Sequence, residues 1–265
     1  MGLLDGKVAI ITGAGRGIGA AAAKLFAGQG ASVVVSDLDK GPAEEVVNEI
    51  KGAGGKAVAV AGNVMEQSTN EQLIKAALDN FKGLDILVPS AGFCNDKVIQ
   101  KMELEDFRLM VKVHMEAPWM LAKLAYPHFK ELSQDGNYRR VIFVASEAGT
   151  RGNAGQTNYG AAKSGAIGLM RVLSKEWLRL RVNCNCVAYG FVETRLTQAT
   201  SGEQILGANI GIPEQMRSMA EQFVMMRGGR ILTPEEGAGA LFMLAIPQAD
   251  GINGQLIEVD AGLGL

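Results

Sequence analysis

Tyr159 and Lys163 stand four residues apart, a spacing that puts phenol and ammonium on one face of a helix. A free phenol titrates near ~10, too high for easy proton exchange at neutral pH. A cation beside it favours the phenolate and brings it into use as an acid or base. Ser146, thirteen residues ahead of Tyr159, closes the apolar run 140–145, where a hydroxyl can meet a substrate oxygen. Such a trio can pass a proton to or from a carbonyl or alcohol oxygen. The same pattern also suits a packed phenol beside a solvated amine.

A second group of residues would hold an anion. Thr12-Gly13-Ala14-Gly15-Arg16-Gly17-Ile18-Gly19 follows the apolar run 8–12 and precedes a helical pattern. Glycines let the backbone approach a pyrophosphate, and a helix N-terminus supplies oriented N–H donors. Asp37 ends the next apolar run about 20 residues on, where a carboxylate binds adenosine ribose hydroxyls. The same charge repels a 2′-phosphate, which favours NAD(H). Arg16 pulls the other way, since its guanidinium could pair with that phosphate, so NADP(H) remains open. Read without the turn, Asp37 is a solvated acid at a strand end.

These residues need a frame that gathers them. Short β-branched runs at 8–12, 32–37, 56–61, 84–88, 140–145, 182–187 and 255–259 alternate with helical patterns. The helices are expected at 17–29, 42–51, 67–81, within 103–130 and at 157–180. Near-continuous apolar strands separated by helices predict a parallel sheet covered on both faces. Right-handed crossovers then give a doubly wound, Rossmann-type α/β fold of seven strands in the order 3-2-1-4-5-6-7. With no linker and no repeat, residues 1–265 read as one domain. The stretch 191–233 reads as long and irregular, and a connection of that length is expected to cover a substrate.

Composition limits the alternatives. Net charge is −2 with Lys and Arg scattered, which argues against a nucleic-acid partner. Cys94, Cys184 and Cys186 are odd in number and no secretory signal precedes Lys7, so a reducing, cytoplasmic setting is expected. Cys184 and Cys186 would share one strand face as small apolar fillers, and no metal site is expected. No apolar run reaches the roughly 20 residues that cross a bilayer.

The glycine turn, Asp37, Ser146, Tyr159 and Lys163 together resemble the short-chain dehydrogenase/reductase family. The resemblance spans essentially the whole chain, including Ala91-Gly92 and the 259–262 ending. It implies that Tyr159 is the proton donor, Ser146 orients the substrate oxygen and Lys163 holds the nicotinamide ribose. Carried onto this sequence, it places a cofactor against Gly13, Arg16, Gly17, Ile18, Gly19, Asp37 and Leu38. The same site would take in Asn63, Val64, Ala91, Gly92, Tyr159, Lys163, Gly190, Val192 and Thr194. Asp96-Lys97, the 152–159 segment and the 190–194 segment look like 3-oxoacyl-acyl-carrier-protein reductases.

Several positions depart from the family. Pro89-Ser90 replaces Asn-Asn ahead of Ala91-Gly92, Asn63 replaces an adenine-binding Asp, and Tyr189 replaces the proline before Gly190. The asparagine that completes the family's catalytic tetrad is His114. That ring either relays a proton or fills a helix–helix contact.

The resemblance also bears on partners. Met216, Met219, Met225 and Met226 would suit an acyl chain or pack a lid onto the core. Lys130, Arg171, Lys175 and Arg179 sit where carrier-protein reductases of this family meet an acidic acyl carrier protein. Ala161, Ala162, Gly165, Ala166 and Gly168 permit close helix approach, where relatives form dimers and tetramers. Three readings follow: a 3-oxoacyl thioester reductase, an NAD-dependent dehydrogenase of cyclic, steroid or sugar-like alcohols, and a catalytically weak cofactor-binding subunit.

Overall fold

The computed structural model describes residues 2–262, so Met1 and residues 263–265 of the expected domain lie outside the described residues. In chain order the first half comprises β1 (Val8–Thr12), α1 (Gly17–Gly28), β2 (Ser32–Asp37), α2 (Lys40–Gly52), β3 (Lys56–Ala61), α3 (Gln67–Phe81) and β4 (Ile86–Pro89). Next come α4 (Leu104–Val111), a π-helical turn (Lys112–Glu116), α5 (Ala117–Leu132), β5 (Arg139–Ser146), α6 (Glu147–Thr150), α7 (Thr157–Glu176) and β6 (Val182–Tyr189). The chain closes with β7 (Gln204–Ile205), β8 (Ala208–Asn209), α8 (Glu214–Met226), α9 (Pro234–Ala245) and β9 (Leu256–Val259).

β3, β2, β1, β4, β5, β6 and β9 form one parallel sheet in that order, matching the expected topology of a single Rossmann-like α/β domain. Alternation along each strand divides the core. Ala9 and Ile11 point into the layer with α1, α2 and α9, and Val8 and Ile10 into the layer with α3, α5 and α7. Cys184 and Cys186 share the second face, buried as apolar fillers. Among the described residues no three His, Cys, Asp or Glu side chains gather as a metal site, and no helix is long and apolar enough to cross a membrane.

The structure corrects several boundaries. The helix expected through 103–130 is interrupted by the π turn, which inserts an extra residue per turn and rotates the residues around His114 inward. The next α-helix ends at Glu176 and gives way to a 3₁₀ turn over Leu178–Leu180, which Arg181 closes in a left-handed conformation (φ 55°) to enter β6. The 191–233 stretch is not irregular throughout: it carries the β7–β8 hairpin and α8. The hairpin turns on Leu206 and Gly207 (φ 50° and 82°), and its strands are too short to show alternation. α8 hid for the opposite reason. Met219, Phe223, Met225 and Met226 are exposed away from the core, Met216 is exposed on the cavity lining and only Val224 is buried, so no inward stripe marks it.

Of the small residues of α7, Ala161 and Gly168 are exposed and the others pack within the chain. Ala162 and Ala166 are buried within their own chain, and Gly165 accepts the Met115 side chain, whose sulfur would lie 2.3 Å from a Cβ there. Phe129 on α5 is fully buried, its ring centroid 5.9 Å from that of Trp177 at the end of α7. Phe129→Ala should therefore cost about 3–5 kcal/mol by opening a cavity. Calorimetry should show a melting temperature lower by roughly 10 °C.

Candidate active site

The carboxyl ends of β1, β4, β5 and β6 open onto a cavity of about 1070 Å³. It lies where the strand order reverses between β1 and β4, the crevice in which open α/β sheets bind ligands. Every site residue named from the sequence lines it: Gly13, Arg16, Gly17, Ile18, Gly19, Asp37, Leu38, Asn63, Val64, Ala91, Gly92, His114, Ser146, Tyr159, Lys163, Gly190, Val192 and Thr194. Scattered over most of the chain, they converge on one space.

One end of the cavity is a cradle for a dinucleotide. Arg16 caps α1 in an extended conformation, no side chain caps the helix, and no acid lies in its first turn. The N–H donors and positive end of the helix dipole therefore face the cavity. A Cβ on Gly19 would sit 2.2 Å from the Gly13 carbonyl oxygen, and one on Gly13 2.7 Å from the Ala91 Cα. Glycine is what lets helix and turn close over a pyrophosphate. Thr194 faces Gly17 across the gap, 3.3 Å from a Cβ built there.

Asp37 is more than a solvated strand end. Its Oδ2 accepts from the Gly15 N–H at 2.9 Å and its Oδ1 from the Asp39 N–H at 3.3 Å, bracing the carboxylate beside the turn. Asn63 Oδ1 accepts from the Met65 N–H at 3.0 Å and keeps a second lone pair, while the Val64 carbonyl is held by Asn70 Nδ2 at 2.7 Å. Donors, carboxylate and glycine surface together fit a nicotinamide dinucleotide.

At the other end, β5 delivers Ser146 and the first two turns of α7 deliver Tyr159 and Lys163. Tyr159 is half-buried, and its hydroxyl meets the Ser146 hydroxyl and the Cys94 thiol. Burial, then the nearby Cys94, pushes the phenol well above its ordinary value, while the Ser146 hydrogen bond pulls it down. In the free protein, burial outweighs any pull of Lys163 on the phenol. The lysine instead donates to the Val144 carbonyl at 2.8 Å, its Nζ 5.5 Å from the centre of the Tyr159 ring. Burial lowers Lys163 to about 8. The phenol is thus held protonated in the free protein.

His114 is buried at 3% exposure, its ring perpendicular to that of Tyr159 with centroids 4.9 Å apart. Its Nε2 lies 2.7 Å from the Phe93 carbonyl. Burial and the Lys163 ammonium hold it well below the ordinary histidine value.

The sequence marks Asp96-Lys97 and the 152–159 segment only by their resemblance to carrier-protein reductases, and the structure shows the contacts through which they fix this corner. Asn158 donates to the Asn95 carbonyl at 2.9 Å and accepts from the Tyr159 N–H at 2.7 Å, tying α7 to the loop after β4. Gln156 donates to Asp96 at 2.7 Å, and Lys97 pairs with Asp106 at 2.6 Å. Cys94, noticed only as a free thiol, sits against the phenol and is pushed up to about 12, mainly by burial. The Gln156–Asp96 and Asn158–Asn95 contacts join residues 60 and 63 apart in sequence, which no local pattern reports.

The fold and this trio of residues define a class of protein. The short chain dehydrogenase family model matches residues 7–204, and the chain belongs to that family of oxidoreductases, which use a nicotinamide cofactor on CH–OH and keto groups. Within it, a 3-oxoacyl-[acyl-carrier-protein] reductase of Synechocystis sp. is 37% identical over 265 residues, 99% of each chain. The 3-ketoacyl-(acyl-carrier-protein) reductase of Brucella melitensis complexed with NADH superposes with a TM-score of 0.85 at 32% identity, covering 99% of this chain and 100% of that one. A dehydrogenase/reductase from Sinorhizobium meliloti gives 0.86 at 28% identity, covering 99% and 96%.

His114 makes acid stability a readout of the site. The unfolded chain protonates this histidine near ~6.5 while the folded chain keeps it neutral. Below about pH 6.5 the unfolded state binds more protons, so this group's contribution to stability falls as pH falls. Asp96 and Glu147, raised mainly by burial, act in the opposite sense. The difference between wild type and His114→Asn isolates the histidine. Between about pH 7 and pH 5 the wild type should lose more melting temperature than the variant. Equal slopes by calorimetry would assign the acid sensitivity elsewhere.

Proposed function

We propose that the protein reduces 3-oxoacyl thioesters with NADH, using Tyr159 as proton donor. The observation that carries this reading is the convergence of Tyr159, Ser146 and Lys163 in the same cavity as a dinucleotide cradle, with Lys163 Nζ 5.5 Å from the centre of the Tyr159 ring. Beyond the phenol the cavity continues along Leu196, Ile205, Leu206, Ile212, Pro213 and Met216, an apolar wall suited to an acyl chain. Residues 191–233 supply that wall and act as the substrate-covering segment. The 3-oxoacyl-acyl-carrier-protein reductases of Synechocystis sp. and Thermotoga maritima, similar over nearly the whole chain, support the same substrate class.

When bound, the reduced nicotinamide supplies a hydride to the carbonyl carbon. As the carbonyl π pair moves onto oxygen, Tyr159 donates its proton there and an alcohol forms. Ser146 donates a second hydrogen bond to the same oxygen, fixing its position and sharing the developing charge. The Lys163 ammonium, close behind the ring, stabilises the phenolate that remains until a proton returns from solvent. Held by the Val144 carbonyl, it keeps further N–H donors for the nicotinamide ribose. The α1 N-terminus binds pyrophosphate and Asp37 takes the adenosine ribose hydroxyls, which favours NAD(H) over NADP(H).

Exposed Lys130, Arg171, Lys175 and Arg179 on α5, α7 and the turn beyond would receive an acidic acyl carrier protein. Exposed Trp119, Tyr126 and Val172 on α5 and α7 supply apolar area for a homodimer or homotetramer. The expected place of action is the cytoplasm.

Purified protein with NADH should reduce an acetoacetyl thioester. Turnover only on cyclic, steroid or sugar-like alcohols would replace this reading with the secondary-alcohol one. Tyr159→Phe keeps the ring and removes the acid, so turnover should fall roughly 10²–10⁴-fold while NADH still binds by fluorescence titration. Asp37→Ser removes the repulsion of a 2′-phosphate and should shift the NADH-to-NADPH ratio of kcat/KM toward NADPH. A wild-type preference for NADPH would show that Arg16 outweighs Asp37.

A further inference from the structure

His114 occupies a junction of three elements. It rides on the π turn, and its neighbour Met115 drops into the notch left by Gly165 on α7. Its ring meets the Tyr159 ring at 89° on one side. On another it lies so close to the loop after β4 that a Cβ on Gly92 would sit 2.1 Å from Cε1 and 2.6 Å from Nδ1. Only a glycine lets the imidazole touch that backbone and reach the next carbonyl, Phe93 O, at 2.7 Å.

The protonation pattern follows from those partners. A carbonyl oxygen can only accept, so Nε2 carries the hydrogen. The ring is neutral, with burial and Lys163 on α7 opposing a second proton. Nδ1 is therefore a bare acceptor, buried and without a partner among the described residues. A relay through this ring would take a proton at Nδ1 and release one from Nε2. The release leads only to the Phe93 carbonyl, which cannot carry a proton onward. A ring with one dead end moves no protons, but a ring wedged between the Gly92–Phe93 backbone and the phenol holds them in register.

We propose that His114 is a positioning residue, whose imidazole fixes the Tyr159 ring against the Gly92–Cys94 wall of the cavity and so sets where a substrate carbonyl meets the phenol. The assignment of Tyr159 as proton donor comes from the function proposed above. The first two tests use no substrate, so their failure can be told apart from failure of that reading.

The chain has two histidines, His114 and His128, so side-chain nitrogen NMR of the whole protein resolves them readily. His114 should appear as the Nε2–H tautomer, unchanged between about pH 5 and 8. An Nδ1–H tautomer or a titrating ring overturns the proposal. The second test is a melting cycle. Gly92→Ala should lower the melting temperature sharply in the wild type, because its methyl takes the place of Cε1. In a His114→Ala background the same change should cost less than half as much, and equal losses overturn the proposed contact.

The third test is kinetic. His114→Ala should lower kcat about tenfold or more with a smaller change in KM, leaving the inflections of the pH–rate profile in place. His114→Gln, whose carboxamide N–H can donate to Phe93 O, should recover part of kcat. Equal loss in Ala and Gln variants, with a vanished inflection, would mean the ring takes part in proton transfer. If the alanine variant fails to fold, the NMR result on the unmodified protein still decides the matter.

Discussion

The approach of α1 to the end of β1 governs the rest of this molecule. No side chain could fill the space between Gly19 and the Gly13 carbonyl, where a methyl would come within 2.2 Å of oxygen. The helix therefore begins directly beneath the turn and aims its unpaired N–H groups into the cavity. Its next residues, Ala20, Ala21, Ala22 and Ala23, are all small and buried, so the axis stays close to the sheet. Ile18 then meets Gly237 on α9, where a Cβ would lie 3.1 Å away, and a third helix packs into the same layer. Close packing of this kind transmits position, because cores are too dense to absorb displacement. The height of the cradle above the sheet is set by glycine and alanine, not by any group that touches a ligand.

Across the cavity, burial sets the proton chemistry. A phenol, an ammonium and an imidazole share one poorly solvated corner, and each is shifted toward its neutral form chiefly by loss of water. The ordinary intuition for a tyrosine–lysine pair is that the cation draws the proton off. Here the ammonium is engaged by the Val144 carbonyl and lies behind the ring, so desolvation outweighs attraction in the free protein. That arrangement suits a donor in carbonyl reduction. The proton stays on oxygen until a substrate oxygen, gaining charge, becomes the better base.

The loop after β4 shows how a family frame tolerates unusual residues. Pro89-Ser90 stands ahead of Ala91, yet Ser90 Oγ donates to the Thr12 carbonyl and the Ala91 N–H reaches Thr12 Oγ1 at 3.1 Å, so β1 and β4 stay joined at the crevice. Tyr189 replaces a proline, and its buried hydroxyl donates to the Gly237 carbonyl at 2.6 Å, bracing β6 against α9. In each case a side-chain hydroxyl donates to a main-chain carbonyl of a neighbouring element and ties the segment in place.

What the sequence determined by itself was everything carried by short-range pattern. Unbroken apolar runs specified seven buried parallel strands, and Gly13 to Gly19 followed by Asp37 specified the cradle. The four-residue step from Tyr159 to Lys163 placed two groups on one helix face. These survive because strand burial, helix periodicity and turn chemistry are local. The tertiary structure decided what depends on neighbours distant in the chain. The π turn around His114 answers to α7 and the loop after β4, and no local preference announces it. The exposed methionines of α8 and the two-residue strands of the hairpin left no inward period to read. The protonated state of Tyr159 and the tautomer of His114 also belong here. They depend on Val144, Phe93 and Cys94, residues whose nearness exists only once the sheet has closed, because electrostatics in a buried site follows distance in space and not in sequence.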